Sequence, residues 1–346
     1  MLTNTSRNTE VLCFKYPSIE PVPEGVHRPL WSVMIPTFNR TKYLEQTLRS
    51  VLEQAPGPEE MQIEVIDNCS TYDDPEALVS QLGQNRISFY RQPNNVGMVA
   101  NLTTCIKRAR GHLIHILHDD DAVLPGFYSC LQSAFEKEPS IGAAFCRCAF
   151  VDDENRQLRL SILERSTPGI VSNLLESIAV KQVIQCPTIV VRRSVYENLG
   201  GFHTEIGNQG LDWEMCKRIA AHYLVWFEPQ MLAYYRLHSS SDTSDAIRSG
   251  KNIVDTRKSI EASRAYLPNS IAEQLLSKAK EYCALHAIGL ARQALIKGDR
   301  ETTIVQIREA LKCSFSFRVF LELSLFPMRT MMAAVKQYVL KQGQWL

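Results

Sequence analysis

Between residues 31 and 117 the apolar positions switch repeatedly between two spacings. Trp31-Ser-Val-Met-Ile35 is a short apolar run closed by Pro36, the pattern of a buried strand. Tyr43, Leu44, Leu48, Val51 and Leu52 then share one side of a 3.6-residue repeat, which predicts a helix. Ile63-Glu-Val-Ile66 predicts a second strand, running into Asp67-Asn-Cys-Ser70. Asp74 to Leu82 predicts a helix with Pro75 suited to its first turn. A strand at Ile87–Tyr90, a helix at Val99–Ala109 and a strand at Leu113–Leu117 follow, the last ending in His118-Asp119-Asp120-Asp121.

This alternation predicts an α/β fold with a mostly parallel sheet flanked by helices. In such sheets ligands bind beyond the carboxyl ends of the strands. After Pro125 the order changes. Gly142–Val151 and Ile184–Val191 predict strands, and Val225–Tyr235 predicts two short strands on either side of Pro229. Gly210–Arg218 predicts the start of a helix, and from Ile253 onward the pattern is helical: Ile271–Leu295, Thr302–Cys313, then a stretch from Phe315 broken near Pro327. The expected organisation is a proline-containing lead-in over 1–29, a catalytic domain over 30–245 and a helical region over 246–346.

Composition narrows the picture only a little. A chain of 346 residues with 45% hydrophobic residues can bury a sizeable core. A formal net charge of +1 gives no reason to expect a nucleic-acid partner. The ten cysteines form no C-x-x-C pair, and several lie in apolar runs, which excludes a zinc ribbon and suits a reducing compartment. Met1–Glu10 lacks a signal-peptide pattern, and no stretch reaches the roughly 20 apolar residues needed to span a bilayer. A cytoplasmic protein, or one peripheral at the inner face of the membrane, is expected.

The chemistry collects at the predicted strand ends. Pro36-Thr37-Phe38-Asn39-Arg40 follows the first strand, Asp67-Asn68-Cys69-Ser70 the second, Asn94-Asn95-Val96-Gly97 the third, and Asp119–Asp121 the fourth. Each alone reads as a turn or a helix cap. Together on one sheet edge they read as a shared site. His112, His115 and His118 are spaced by three, but alternation along a strand keeps His115 from converging with the other two, so a zinc trio is not expected.

The ordered set S-V-M-I-P-T-F-N-R, I-D-N-C-S, N-V-G-M-V-A-N-L, L-H-D-D-D-A-V-L-P-G, L-D-W-E-M-C-K-R and Y-Y-R-L-H, from about Trp31 to Ser241, resembles the inverting glycosyltransferases of family 2, which have the GT-A fold. The resemblance implies transfer of a sugar from a UDP- or dTDP-linked donor to a hydroxyl of a glycan or lipid-linked acceptor, in a setting such as polysaccharide biosynthesis. Residues 30–125 would form the nucleotide-binding half and 126–245 the acceptor half. Mn²⁺ or Mg²⁺ would sit on Asp119, Asp120 and Asp121, with His238 as a further ligand, and would neutralise the departing diphosphate. Pro36, Thr37, Asn39, Arg40, Asp67, Asn95, Asp119, Asp120 and Arg236 would line the nucleotide site, with Asp67 accepting from the base. Asp212 would be the catalytic base, with Glu214 as the fallback.

Two departures from the family pattern matter. Many relatives carry a carboxylate where this chain has His118, so which two aspartates form the D-x-D pair is open. Relatives often carry an acid before the base, where this chain has Leu211. The Q-x-x-R-W signature of processive relatives is absent, so single-sugar addition is expected. A nucleotidyltransferase or a dinucleotide dehydrogenase would show a glycine-rich loop after the first strand, and P-T-F-N-R is not one. A catalytically inactive relative that only binds nucleotide or glycan is the other alternative. Beyond residue 299 basic residues such as Arg308, Lys312, Arg318, Arg329, Lys336 and Lys341 interleave with Phe315, Phe317, Phe320, Leu323 and Phe326. Such a segment packs on the catalytic domain or a second subunit, or lies on an anionic membrane surface.

Overall fold

The computed structural model describes residues 15–342, with side chains to Ala334. The signal-peptide reading at Met1–Glu10, Cys13, and the side chains of Lys336 and Lys341 lie outside the described residues. Two compact units emerge. The first takes the chain up to Ile178, Gln182–Gly207 and Leu211–His238; the second takes Ala179–Lys181, Asn208–Gly210 and everything from Ser239.

The first unit is built on one sheet. Its nucleus is β1 (Trp31–Thr37), α1 (Leu44–Leu52), β2 (Met61–Asp67), α2 (Pro75–Gly83), β3 (Ser88–Arg91), α3 (Met98–Arg108) and β4 (Leu113–Ile116). The predicted alternation is observed throughout this stretch. Asp74 caps α2 by accepting from Ala77 N–H at 3.1 Å, and Pro75 occupies the first turn. Beyond it come β5 (Ala122–Val123), α4 (Phe127–Lys137), β6 (Ile141–Val151), β7 (Gln157–Leu160), β8 (Gly169–Ile170), α5 (Leu174–Val180), β9 (Ile189–Arg192), α6 (Arg193–Leu199), α7 (Leu211–His222) and β10 (Leu224–Arg236).

Among the described residues the strand order is β3-β2-β1-β4-β9-β6-β10-β5, with β7 beside β6 and β8 beside β10. The β3-β2-β1-β4 half is parallel throughout, β10 runs parallel to β6, and β9 is antiparallel to both its neighbours. Register aligns the carboxyl ends of the parallel half: Thr37 pairs with Asp67, and Asp67 with Arg91. Gly111 permits the close approach that starts β4, since a Cβ there would lie 2.5 Å from the Trp31 carbonyl carbon. Val33, Ile35, Leu44, Leu48, Val65, Leu113, Phe127, Leu131 and Ala144 are core residues with no more than 2% exposure.

Two expectations change. The predicted strand Ile184–Val191 begins only at Ile189, because Cys186–Thr188 form a 3₁₀ turn around Pro187, which has no N–H for a ladder. The two short strands predicted around Pro229 are one strand, β10, which absorbs the proline in register shifts between Glu228 and Ala233. The described part of the lead-in turns at Pro23, whose carbonyl accepts from Val26 N–H, and it is anchored: Pro17 and Lys15 carbonyls accept from Gly201 and Thr204 N–H.

The second unit is helical: α8 (Asp242–Ser249), α9 (Lys251–Ala262), α10 (Asn269–Ile296), α11 (Arg300–Cys313), α12 (Phe317–Ser324) and α13 (Phe326–Gln342). Ala279, Cys283, Ala284, Ala287, Ile288 and Ala291 make a buried stripe of mostly small side chains on α10. Gln306 of α11 is fully buried and donates to Ile247 O and Asn252 Oδ1 at 2.6 and 2.8 Å. Phe315, Phe317 and Phe320 are 83%, 80% and 68% exposed. No described helix is long and apolar enough to cross a membrane.

Candidate active site

The loops leaving β1, β2 and β4 meet at the carboxyl edge of the sheet. After β1 the chain turns through Asn39 with φ of 50°, a conformation asparagine tolerates. Its side-chain oxygen accepts from Thr71 and Tyr72 N–H at 2.7 and 3.0 Å. Asp67 is fully buried; its carboxylate accepts from Ser70 N–H at 3.1 Å and from Arg91 Nε at 2.7 Å. Asn95 accepts from Asn68 Nδ2 and Gly97 N–H, both at 2.9 Å. Asn39, Asp67 and Asn95, expected at the nucleotide, each hold hydrogen bonds within these loops, and the Asp67 side chain is fully buried.

The acidic cluster follows β4. Thr47 in α1 holds its backbone by donating to Asp121 O at 2.7 Å. The three carboxylates differ in surroundings. Asp119 accepts from Thr37 Oγ1 at 2.6 Å and Arg40 Nη1 at 3.2 Å. Burial and the Asp120 charge push its pKa up to about 7. Asp120 Oδ2 accepts from Arg40 Nη1 at 2.7 Å and lies 3.0 Å from His238 Nε2. Burial acts to raise Asp120, but the His238 hydrogen bond and the Arg40 charge outweigh it and hold the carboxyl below its usual range. Asp121 Oδ1 accepts from Arg236 N–H at 2.9 Å, while Oδ2 is buried with no hydrogen-bond partner among the described residues. Burial and the Asp120 charge hold Asp121 well above the ordinary carboxylate range.

His118, Asp120 and Asp121 each offer a ligand atom, all within 4.8 Å of one another. Asp119 and His238, both expected as ligands, do not belong to this set: Asp119 is turned to Thr37 and Arg40, and His238 to Asp120. Arg236 is also reassigned. Its guanidinium is buried and donates to Asp120 O, Asp152 O and Gln46 Oε1 at 2.9, 2.9 and 2.8 Å, so it braces the cluster from behind. Pro36 and Thr37 lie at the end of β1, with Arg40 across the cluster. Of the other histidines, His115 is fully buried, stacked on Phe127 and 3.1 Å from Pro187 O, so no zinc trio forms.

Asp212 sits in the first turn of α7. Its Oδ1 accepts from Trp213 N–H at 2.8 Å, one residue on rather than at the two- or three-residue reach of an N-cap. Its Oδ2 accepts from Gln182 Nε2 at 2.8 Å. Desolvation raises its pKa, partly opposed by His118. Glu214, the fallback base, is fully buried and paired with Arg218 at 3.1 Å and Tyr16 at 3.2 Å, which removes it from the site. The Cys186 thiol, 3.4 Å from His118 Nε2, is pushed well up by burial and then by the charges of Asp212, Asp121 and Asp120. Asp212 and the acidic cluster thus share one neighbourhood. Gln182, Cys186 and Thr47 are the contributors that sequence reasoning missed.

A sheet with this order, an acidic cluster at its carboxyl edge and a separate carboxylate beside it define a glycosyltransferase of the GT-A fold. Residues 32–200 match the glycosyl transferase family 2 domain. The uncharacterized protein MT1568 of Mycobacterium tuberculosis is 31% identical over 242 residues, 67% of this chain and 74% of that protein. The chain belongs to glycosyl transferase family 2. The GalNAc(5)-diNAcBac-PP-undecaprenol beta-1,3-glucosyltransferase of Campylobacter jejuni is 33% identical, over only 30% of this chain and 33% of that enzyme. Two solved structures share the fold. Staphylococcus aureus TarS 1–349 in complex with UDP-GlcNAc has a TM-score of 0.63 at 16% identity, covering 90% of this chain and 92% of that one. The mannosyltransferase PcManGT of Pyrobaculum calidifontis, with GDP-Man and Mn²⁺, has a TM-score of 0.52 at 21% identity, covering 89% and 91%.

Proposed function

We propose that this glycosyltransferase is metal-dependent and inverting, moving one sugar from a UDP- or dTDP-linked donor to a hydroxyl of a glycan or lipid-linked acceptor in polysaccharide biosynthesis. The observation that carries the reading is the buried, unpartnered Asp121 Oδ2 among His118 and Asp120, in the same neighbourhood as Asp212. An orphaned buried carboxylate oxygen is costly, and a cation satisfies it.

The donor set fits Mn²⁺ or Mg²⁺, which would supply positive charge to the departing diphosphate. Asp120 and Asp121 would hold it. Thr37 and Arg40 keep Asp119 out of that set and place the Arg40 cation at the rim, where nucleotide phosphates would lie. Pro36 and Thr37 border the nucleotide side. Asp212 takes the proton of the acceptor hydroxyl as its oxygen attacks the anomeric carbon from the face opposite the diphosphate. Its two hydrogen bonds fix the carboxylate while leaving a lone pair on each oxygen. The acceptor class draws on the undecaprenol-linked acceptor named for the Campylobacter enzyme. A partly lipidic acceptor also suits the exposed phenylalanines and neighbouring Arg308, Lys312 and Arg318 of the second unit, through contact with a membrane surface at the cytoplasmic face or with a second copy.

A thermal-shift panel of UDP-, dTDP- and GDP-sugars, each with and without Mn²⁺, tests the reading. Metal-dependent stabilisation by a UDP- or dTDP-sugar is expected. Stabilisation by none of them, or equal stabilisation without metal, refutes it.

A further inference from the structure

We propose that His118 gives the cation a nitrogen ligand, so that the site selects Mn²⁺ and related transition ions over Mg²⁺ and Ca²⁺. The inference rests on the metal-dependent reading above and concerns which ion that site takes.

The donor set on the page is one imidazole and two carboxylates: His118, Asp120 and Asp121, with ligand atoms within 4.8 Å of one another. Asp121 is 2% exposed and its Oδ2 has no hydrogen-bond partner among the described residues, so the cluster contains a buried acceptor that a positive group would satisfy. The third aspartate is not in the set, because Asp119 is held by Thr37 Oγ1 at 2.6 Å and by Arg40 at 3.2 Å. Two carboxylates balance a divalent charge, and the neutral ring adds a ligand without adding charge.

The identity of that third ligand decides the preference. Mg²⁺ and Ca²⁺ are hard ions that favour oxygen, whereas imidazole improves affinity for first-row transition ions. An aspartate at position 118 would make an all-oxygen set with no such bias. The surroundings also hold the ring. Leu117 N–H donates to Met34 O at 3.0 Å, fixing the backbone just before His118, and Cys186 Sγ lies 3.4 Å from Nε2. Such outer contacts typically set metal affinity by about 10–100-fold through ring orientation. His238, the histidine expected to ligate, instead contacts Asp120 Oδ2 through Nε2 at 3.0 Å and orients that carboxylate.

The test uses the tag-free full chain with Mn²⁺ alone and with Mn²⁺ plus UDP, read by pulsed electron paramagnetic resonance for coupling to ¹⁴N. Coupling is expected in the wild type, retained in His238→Gln and lost in His118→Asp. Competition of Mg²⁺ against bound Mn²⁺ should strengthen by about tenfold or more in His118→Asp. Bound Mn²⁺ without nitrogen coupling in the wild type, or coupling that survives His118→Asp, overturns the role of His118 and leaves metal dependence intact. No Mn²⁺ binding with or without UDP overturns metal dependence, and this inference with it. If His118→Asp fails to fold, the wild-type spectrum beside that of His238→Gln still decides the source of the nitrogen.

Discussion

Replacing Gln182 with leucine should move the pH dependence of the transferase without abolishing it. Gln182 Nε2 donates to Asp212 Oδ2 at 2.8 Å, and the other oxygen accepts from Trp213 N–H at 2.8 Å. Burial already raises the Asp212 pKa, so this proposed base is kept ionised against desolvation by its hydrogen bonds. A hydrogen bond to a charged group contributes about 1.5–3 kcal/mol. The amide stabilises the carboxylate more than the carboxylic acid, so its loss raises the Asp212 pKa further.

The acidic limb of kcat/KM against pH should therefore move to higher pH in Gln182→Leu, with the alkaline plateau recovered to within a few-fold. Asp212→Asn should instead lose about 10²–10⁴-fold at every pH, since no base returns. The assay is release of the nucleoside diphosphate from the donor found by thermal shift, between pH 5.5 and 9. A purely structural Gln182 would lower the melting temperature and leave the limb in place. That result, with a correctly folded variant, refutes the assignment of Asp212 as a base held by Gln182.

Two further outcomes are expected. Burial lowers the pKa of His115 to about 3, so below its unfolded value near 6.5 the unfolded chain binds a proton that the folded chain refuses. Stability should fall by about 2 kcal/mol from this residue between pH 7 and pH 5. His115→Gln should flatten that part of the curve in urea titrations; an unchanged slope refutes the account. On the second unit, the chain should sediment with anionic vesicles at low salt, and Phe315→Ser with Phe317→Ser should weaken sedimentation by about tenfold or more. No sedimentation, or a dimer in light scattering that both substitutions dissolve, removes the membrane and leaves a second copy as the partner.

The parallel half of the sheet was legible because β1, β2 and β4 are short apolar runs followed within a few residues by polar turns at Asn39, Asn68 and Asp119. The other half hid its elements. Strand β7, Gln157–Leu160, is exposed along its whole length, so no burial pattern marks it. Strands β5 and β8 have two residues each, too few for any period. Helix α4 has a clear apolar face in Phe127, Tyr128, Leu131, Ala134 and Phe135, but it opens on Gly126 at φ of 92°. A glycine after Pro125 reads as a breaker, and here it precedes the helix it appears to forbid.

At the site, residue types were visible and their partners were not. Gln182 reaches Asp212 across 30 positions, Cys186 reaches His118 across 68, and Thr47 reaches the Asp121 carbonyl across 74. No spacing rule spans such distances. The Y-Y-R-L-H motif marks the limit most sharply. Arg236 and His238 are two apart at the end of one strand, and both were expected at the diphosphate and metal. The guanidinium has a long reach and finds Asp120 O, Asp152 O, Asp153 O and Gln46 Oε1, while the shorter imidazole of His238 meets a carboxylate oxygen of Asp120 and the ring of Tyr43. Both therefore act on Asp120, one through its backbone and one through its side chain. The motif names the residues that support the acidic turn, and only the packing beneath it decides which groups are left to face a ligand.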